Sequence, residues 1–259
     1  MDKHIDLNTK KEIQYSILKE YARYCDDNDL QYFLAYGTLL GAIRHSGYIP
    51  WDDDIDVMMP YSDFVKFIDN YSNKDFYVSH CTKDSSSWIP YCRLYDLRTY
   101  RRIGQRTDYG CCIDIYCMFG TPSTKEQQYQ HIGKVISCKK KARFLYRVRE
   151  FLTKHNLWLF STLAFKPMNR AGLRMYKELS RYSFEESDYV WVYSGESDST
   201  KEIMKKCMLE SLVMVNFEDS NFKAPLEYEY VLTTIYGNWR QLPPEQDRHP
   251  YHATNYYWK

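Results

Sequence analysis

Long apolar segments are scarce in this chain of 259 residues. The apolar stretch from Leu157 to Phe165 is too short to cross a bilayer, because a membrane-spanning helix needs about 20 residues. The residues from Met1 to Glu12 are mostly polar and lack the apolar core of a secretory signal peptide. We therefore expect a cytoplasmic protein, whose contact with a membrane would be peripheral and at the inner face.

A large net charge is also missing, since 35 basic residues face 34 acidic ones and leave a net charge of +1. Such a balance gives no global attraction to nucleic acid, so nucleic acid is not an expected partner. The eight cysteines include no Cys-x-x-Cys pair and no Cys/His spacing typical of structural zinc. We expect these cysteines to be reduced thiols that pack in the interior.

An acidic run is present instead: Asp52-Asp53-Asp54-Ile55-Asp56 interrupts an apolar segment. If it forms a strand, the carboxylates of Asp54 and Asp56 share one face while Ile55 faces the core. Four carboxylates within five residues repel one another, and Mg²⁺ or Mn²⁺, which prefer hard oxygen ligands, would relieve the repulsion. A solvated turn is the alternative, and the apolar flanks argue against it. An EF-hand fits poorly, because its glycine and its bidentate Glu are both missing.

Two further features accompany the acidic run, a Gly-Thr turn before it and a lone aspartate in a later strand. Asp114 lies between β-branched residues, where an aspartate is costly to bury without a partner. The predicted elements are a helix from Thr9 to Asn28, a strand from Leu30 to Tyr36, a short helix capped by Thr38, the acidic strand, the strand of Asp114, and a basic helical region from Thr124 to about Ser180.

A Gly-Thr turn, an acid-x-acid strand and a separate strand with a third acid are together typical of the nucleotidyltransferase fold. We therefore predict an α+β fold with a nucleotidyltransferase-like mixed sheet core and an α-helical insertion or subdomain. No Gly/Pro-rich linker, internal repeat or low-complexity tract interrupts the chain. The predicted boundaries are residues 1–122 for the catalytic core, 123–185 for the insertion, and 186–259 for a segment that completes the catalytic domain.

The segment from Ala35 to Asp56 resembles the core motif of the LicD family, bacterial phosphocholine transferases to which the fukutin-related enzymes are distantly similar. Arg93 to Thr99 resembles the family's basic-x-x-Asp-x-x-Thr segment, and Ile113 to Ile115 resembles its third-acid strand. The stretch from Tyr236 to His249 is similar to the terminal pattern of the family, with Asn238 where an Asp is usual. The helical region after Thr124 matches no part of the family that we can name.

The resemblance implies a metal-dependent transferase that moves a phospho-alcohol group, such as phosphocholine, from a CDP-activated donor to a hydroxyl of a cell-surface glycan precursor. Lipopolysaccharide, teichoic acid and capsule precursors, including lipid-linked ones, are acceptors of this kind. The implied cofactor is Mg²⁺ or Mn²⁺, as two ions. By resemblance, Asp54 and Asp56 would bind the metals, Asp114 would complete the metal site and deprotonate the acceptor, Gly37 and Thr38 would hold the donor phosphate, and Asp52, Arg44, His45 and Arg248 would bind substrate. For Arg44, His45 and Arg248, a surface ion pair is an equally good interpretation.

Two other functions fit parts of the sequence. A glycosyltransferase also uses Asp-x-Asp to bind a nucleotide-sugar, but that function leaves the Gly37-Thr38 turn and Asp114 without a role. A non-catalytic binding module on the same fold would not need all three acids.

The basic region from Lys139 to Arg149, followed by the apolar Leu157 to Phe160, has the composition of an interfacial membrane anchor. A helix that packs on the core and exposes a basic face is the alternative.

Overall fold

The structure is a computed structural model that describes residues 3–103, 106–155, 157, 162–195, 200–249 and 255–259. The helices are α1 (Leu7–Asp27), α2 (Tyr36–His45), α3 (Tyr61–Asn70), α4 (Lys125–Lys154), α5 (Phe165–Leu179) and α6 (Tyr228–Tyr236), with short 3-10 helices at Thr200–Glu202, Lys206–Leu209 and Glu245–Asp247. The strands are β1 (His4–Ile5), β2 (Phe33–Leu34), β3 (Asp56–Pro60), β4 (Phe76–Ser79), β5 (Cys92–Asp96), β6 (Thr99–Ile103), β7 (Arg106–Tyr109), β8 (Cys112–Thr121), β9 (Tyr189–Val192), β10 (Ile203–Lys205), β11 (Leu212–Phe217), β12 (Ser220–Pro225) and β13 (Tyr256–Trp258).

The central sheet is built around the long strand β8. One edge of β8 pairs in parallel with β3, and the other pairs antiparallel with β5 and then with β9. Strand β2 extends the sheet beyond β3, β10 beyond β9, and β4 beyond β5. Val57 and Ile115 are fully buried, because the hydrophobic face of β3 and β8 lies in the core. The α+β class and the mixed sheet are therefore confirmed.

Smaller β structures flank this sheet. Strands β1, β13, β6 and β7 form an antiparallel sheet in that order, and β11 and β12 form a hairpin. Ile5 of β1 pairs with Tyr256 of β13, so the first and last described strands are neighbours. Lys10 approaches this corner, with its ammonium 5.2 Å from the ring centroid of Tyr256. The small sheet thereby borders the region of the acidic run.

Helix α1 covers the core with one face, as its periodicity predicts. Ile13, Ile17, Leu18 and Tyr21 are buried at helical spacing. Its amino terminus is capped by Asp6, whose carboxylate accepts a hydrogen bond from the backbone N–H of Thr9 at 2.7 Å. The cap starts the helix at Leu7, two residues earlier than the hydrophobic pattern indicates.

Two local predictions around the acidic run are wrong. The strand begins only at Asp56, and residues 52–55 precede it as a loop, where the backbone N–H of Asp52 donates to the carbonyl of Ile49 at 2.9 Å. Thr38 does not cap α2, which begins at Tyr36 after Ala35. Instead, the Thr38 hydroxyl oxygen accepts the backbone N–H of Asp56 at 2.8 Å. A tertiary hydrogen bond has thus replaced the local one that the sequence suggests.

Helices α4 and α5 pack against each other and against the core. The His131 ring nitrogen Nε2 lies 2.8 Å from the carbonyl oxygen of Glu178, which links the two helices. Val135, Met175 and Leu179 are fully buried members of the main core. The basic region from Lys139 to Arg149 is therefore part of a helix that packs on the protein, and Lys139 itself is 7% exposed. The domain boundaries stay a prediction.

Two features concern a membrane. Within the part of the chain that the structure describes, no helix combines the length and the apolar character required to cross a bilayer. Of the predicted anchor from Leu157 to Phe160, the residues after Leu157 lie outside the described residues.

Candidate active site

Asp56 and Asp114 stand side by side on neighbouring strands. Asp56 is the first residue of β3, and it is the register partner of Asp114 in the parallel ladder with β8. Neighbouring strands lie about 4.8 Å apart, and paired residues point to the same face of the sheet. Ile55 and Ile113 precede them and point into the core, where both are buried. The alternation of acid and aliphatic residues therefore places the two carboxylates together at one face of the sheet.

The Asp56 carboxylate is surrounded by other negative charges. Its burial, followed by the charges of Asp54, Asp114 and Asp52, raises the pKa of Asp56 well above its usual range. A hydrogen bond from Tyr116 acts in the opposite direction. A carboxyl in this setting is stabilised by a proton or by a cation. The position thus has the electrostatic character of a cation ligand.

The loop before β3 gathers three more carboxylates. Among the described residues, one trio of potential metal ligands brings its ligand oxygens within 4.8 Å of one another, and it is Asp52, Asp53 and Asp54. Asp53 is fully buried and forms an ion pair with Lys10 at 3.0 Å, so its charge is balanced within the protein. Burial raises the pKa of Asp52 as well. This compact group differs from the predicted metal set of Asp54, Asp56 and Asp114, which spans the loop and both strands.

Asp114 is held by an arginine. The guanidinium of Arg93 donates to the Asp114 carboxylate, with distances of 2.8 Å from Nε to Oδ1 and 3.4 Å from Nη2 to Oδ2. Arg93 Nη2 also donates to the hydroxyl of Tyr91 at 3.0 Å. Arg93 lies on β5 opposite Asp114 in the ladder. The sequence signal for this residue was its place in the segment from Arg93 to Thr99, but the pattern gave it no partner.

The Gly37-Thr38 turn lies against the acidic loop. A Cβ atom on Gly37 would lie 2.4 Å from Oδ2 of Asp52, so a larger residue there would push the Asp52 carboxylate away. Tyr36, just before it, has a left-handed backbone with a φ of 42°. The first turn of α2 therefore starts beside the carboxylates, and a helix amino terminus attracts anionic groups such as phosphate.

Arg44, His45 and Arg248 come together at a different place, around Trp51. The Arg248 guanidinium lies 5.3 Å from the ring centroid of Trp51, and the His45 ring lies 6.2 Å from it. Arg44 donates to the carbonyl of Trp239 at 2.8 Å. Burial, and then the charge of Arg44, lowers the pKa of His45. These side chains adjoin the acidic loop through Trp51, and none of the three is among the described residues that line the cavity over Asp54 and Asp114.

That cavity has a volume of about 200 Å³ and opens over the acids. Its walls combine the carboxylates of Asp54 and Asp114 with arginine side chains and with aromatic rings. The aromatic walls could not be predicted from the sequence, because their residues come from separate parts of the chain. The arginines are Arg93, Arg101 and Arg149, and the aromatic residues are Trp88, Tyr95, Tyr109, Tyr146 and Tyr256.

The donor set fits a divalent cation. Carboxylate oxygens from Asp52, Asp54, Asp56 and Asp114 are hard ligands of the kind that Mg²⁺ and Mn²⁺ prefer. Burial, and then the charges of Asp54, Asp114 and Asp52, raise the pKa of Asp56, and a bound cation would offset both effects. Asp114 is already balanced by Arg93, so it would join the set by exchanging that partner.

Comparisons with known proteins cover this region. Residues 29–131 match the family model described as LicD/FKTN/FKRP, nucleotidyltransferase domain. Over 267 residues, 98% of this chain and 99% of its relative, the chain is 28% identical to the lipopolysaccharide cholinephosphotransferase LicD of Haemophilus influenzae. An uncharacterized protein of Rickettsia typhi is 36% identical over 66 residues, which is 25% of this chain and 21% of that protein. Another from Rickettsia prowazekii is 39% identical over 51 residues, 20% of this chain and 19% of that protein.

Proposed function

This chain belongs to the LicD family, and from that membership we propose that it transfers phosphocholine from CDP-choline to a hydroxyl group of a lipopolysaccharide precursor. It is a LicD-type phosphotransferase; the donor, the acceptor and the metal are the proposed parts. The observation that carries the proposal is the pairing of Asp56 with Asp114, next to a cavity that is lined by Asp114, Asp54 and arginines. Acids that bind a cation and arginines that bind phosphate are what the transfer of a substituted phosphate requires.

The proposed reaction exchanges one phosphorus–oxygen bond for another. The acceptor oxygen bonds to the phosphorus that carries choline, and the bond from that phosphorus to the bridging oxygen of the pyrophosphate breaks. CMP leaves with the bridging oxygen. The hydroxyl proton of the acceptor passes to the carboxylate of Asp114, which acts as general base.

Each residue then has a task that follows from its position. Asp54, Asp56 and Asp114 would hold Mg²⁺ or Mn²⁺, with Asp52 as a further or outer ligand. When bound, the cations neutralise charge on the phosphate oxygens. Gly37 lets α2 start beside Asp52, so the first turn of this helix would face the donor phosphate, while the buried Thr38 would act through its hydrogen bond to the backbone N–H of Asp56. Arg93, released from Asp114 when that carboxylate takes part in the metal set, would bind the pyrophosphate.

The tyrosine wall of the cavity, at Tyr95 and Tyr109, favours a donor whose alcohol carries a cation, such as choline, over glycerol or ribitol. A trimethylammonium group is attracted to the faces of tryptophan and tyrosine rings. The ring centroid of Tyr109 lies 4.9 Å from those of Tyr77 and Tyr95, so the three rings form an aromatic surface in this wall. Glycerol and ribitol phosphates have no cation to place there.

Release of CMP from a series of CDP-alcohols tests the proposal. Purified protein with Mg²⁺ and a lipopolysaccharide acceptor should release CMP from CDP-choline faster than from CDP-glycerol or CDP-ribitol, and EDTA should stop the reaction. UDP-sugars should not react. Transfer of a sugar would instead favour a glycosyltransferase, and no turnover of any donor would favour a binding module.

We also propose that the protein contacts the inner membrane face peripherally, through one side of α4. Phe144 and Phe151 are 65% and 60% exposed there, and Lys140 and Lys141 are exposed beside them. Aromatic residues next to lysines are typical of interfacial helices. Changing both phenylalanines to serine should reduce co-sedimentation with phosphatidylglycerol vesicles, whereas Tyr129→Ser, which removes an equally exposed ring from the same helix, should not. Equal recovery of all three proteins with the vesicles would contradict the contact.

A further inference from the structure

A second cavity, of about 520 Å³, lies next to the one over the acids. Trp88 and Tyr146 line both cavities, and their ring centroids are 5.9 Å apart. The two cavities therefore adjoin at this pair of rings. A molecule large enough to fill both would pass from the acids, over the rings, into the second cavity.

The second cavity is basic. Among the residues that the structure describes, it is lined by Lys139, Arg143 and Arg147 of α4 and by one carboxylate, that of Glu150. The Tyr146 hydroxyl donates to Glu150 Oε1 at 2.8 Å, so one oxygen of this carboxylate already accepts a hydrogen bond from another lining residue. The excess of cations makes the cavity a receptor for anionic oxygens, and arginine is well suited to bind the paired oxygens of phosphate or carboxylate.

These cations also differ from the other basic residues of α4 in their position along the helix. Residues 139, 143 and 147 are four apart along α4 and line the cavity, whereas Lys140 and Lys141 are not among its described lining residues. Lys139 is 7% exposed, which suits a side chain that lines a cavity and not one that lies on a bilayer. A membrane contact would use the face of Phe144 and Phe151.

We infer that the second cavity binds an anionic group of the acceptor, a phosphate or a carboxylate, while the acceptor hydroxyl reaches the acids of the first cavity. The inference rests on the proposed function, because it takes the first cavity as the place of transfer. It makes Arg143 and Arg147 specificity-determining residues: they select acceptors whose anion lies at a distance from the reacting hydroxyl.

Calorimetric titration without donor tests the inference. The probe is phosphorylated core oligosaccharide from delipidated lipopolysaccharide, before and after treatment with phosphatase. The double variant R143Q/R147Q should bind the untreated probe at least about tenfold more weakly than the unchanged protein, since it loses the charge-assisted contacts of two arginines to the anion. The control K140Q/K141Q removes the same charge from the same helix and should bind normally. The two double variants should have similar melting temperatures, because none of the four replaced side chains packs in the core.

The treated probe separates the two sources of the anion. Weak binding after phosphatase assigns the cavity to phosphate, whereas unchanged binding that still depends on Arg143 and Arg147 assigns it to carboxylate. The inference is overturned if both double variants bind like the unchanged protein, if both weaken equally, or if Arg143 and Arg147 affect only vesicle binding. The proposed function fails separately, if no CDP-alcohol yields CMP in the unchanged protein.

Discussion

At the scale of single residues, Asp56 shows how a site can oppose the stability of its own fold. The carboxylate is buried among like charges, and this arrangement raises its pKa well above the usual range. Ionisation of Asp56 is therefore unfavourable in the folded chain without a cation. A carboxylate in these surroundings, at the first residue of a core strand, is better explained as a metal ligand than as a residue that stabilises the fold.

Replacing this carboxylate by its neutral isostere should separate stability from activity. We expect Asp56→Asn to raise the melting temperature in EDTA, because the cost of burying a carboxylate here, and then the repulsion from Asp54 and Asp114, is removed. Transfer should fall at least about 100-fold, as it does when a group that stabilises transition-state charge is lost. Mg²⁺ should raise the melting temperature of the unchanged protein but not of the variant. Thermal unfolding and CMP release measure the two effects.

Asp69→Asn is the matched control for Asp56→Asn. Asp69 is about half exposed, pairs with Lys83 at 2.7 Å, and is not among the described residues that line the cavity over Asp54 and Asp114. Its replacement should leave activity and the Mg²⁺ response unchanged. Normal turnover of Asp56→Asn, or a lower melting temperature in EDTA, would rule out Asp56 as a metal ligand.

Some of these residues could be predicted from the sequence and others could not. Asp54, Asp56 and Asp114 stood out because acids between aliphatic residues are rare in core strands. Their neighbours Lys10 and Arg93 are ordinary basic residues in sequence, and only the tertiary structure pairs them with Asp53 and Asp114. Contacts between residues distant in sequence therefore determine which carboxylates are paired with a basic side chain of the protein.

At the scale of elements, α1 and the basic helices follow from periodicity, whereas the ends of short elements do not. The Asp6 cap and the bond from Asp56 N–H to Thr38 set where α1 and β3 begin. The second bond joins two segments 18 residues apart. Hydrophobic patterns describe the face of an element and contain no information on such partners.

The start of α2 depends on a buried acid that the sequence did not mark. The Tyr36 hydroxyl donates to the carbonyl of Val192 at 2.7 Å and lies 3.3 Å from Glu202 Oε1. Glu202 also accepts from the indole of Trp191 at 3.3 Å and from the hydroxyl of Ser194. This cluster connects the strained residue before Gly37 to the strands β9 and β10.

The titration of Glu202 should appear in the stability of the protein. Burial raises the pKa of Glu202 from about 4.5 to about 7. Since the folded pKa is the higher one, the fold binds the proton more tightly, and stability falls as the pH rises from about 4.5 to about 7. The neutral variant Glu202→Gln should lack this loss, which is at most about 3 kcal/mol.

Denaturant titrations of both proteins at pH 5 and pH 8 would measure this difference. Glu178→Gln serves as the control, because this carboxylate is only partly buried and pairs with the nearby Arg181 at 3.2 Å. Compared with the unchanged protein, Glu202→Gln should be more stable at pH 8 than it is at pH 5. A difference that is independent of pH would mean that Glu202 is ionised throughout.

At the scale of the whole molecule, the helix pair α4 and α5 gives the core its second cavity. Helix α5 holds the loop that contains Trp88: the amide of Asn169 donates to the carbonyls of Cys81 and Ser87 at 2.7 and 2.8 Å. A Cβ atom on Gly172 would lie 2.4 Å from the carbonyl oxygen of Trp88. The helices therefore position the rings at which the two cavities meet, a role that helical periodicity alone cannot reveal.

Loosening this attachment should affect the acceptor more than the donor. Asn169→Ala leaves buried carbonyls without their donor, so we expect a loss of about 1–3 kcal/mol of stability. With Trp88 less well fixed, KM for the acceptor should rise several-fold while CMP release to water from the donor changes little. Asn70→Ala, which removes one exposed bond to Lys66 within a helix, is the control and should change neither. If KM for donor and acceptor rose together, Trp88 would serve the donor site, because a wall used only by the acceptor cannot alter donor binding.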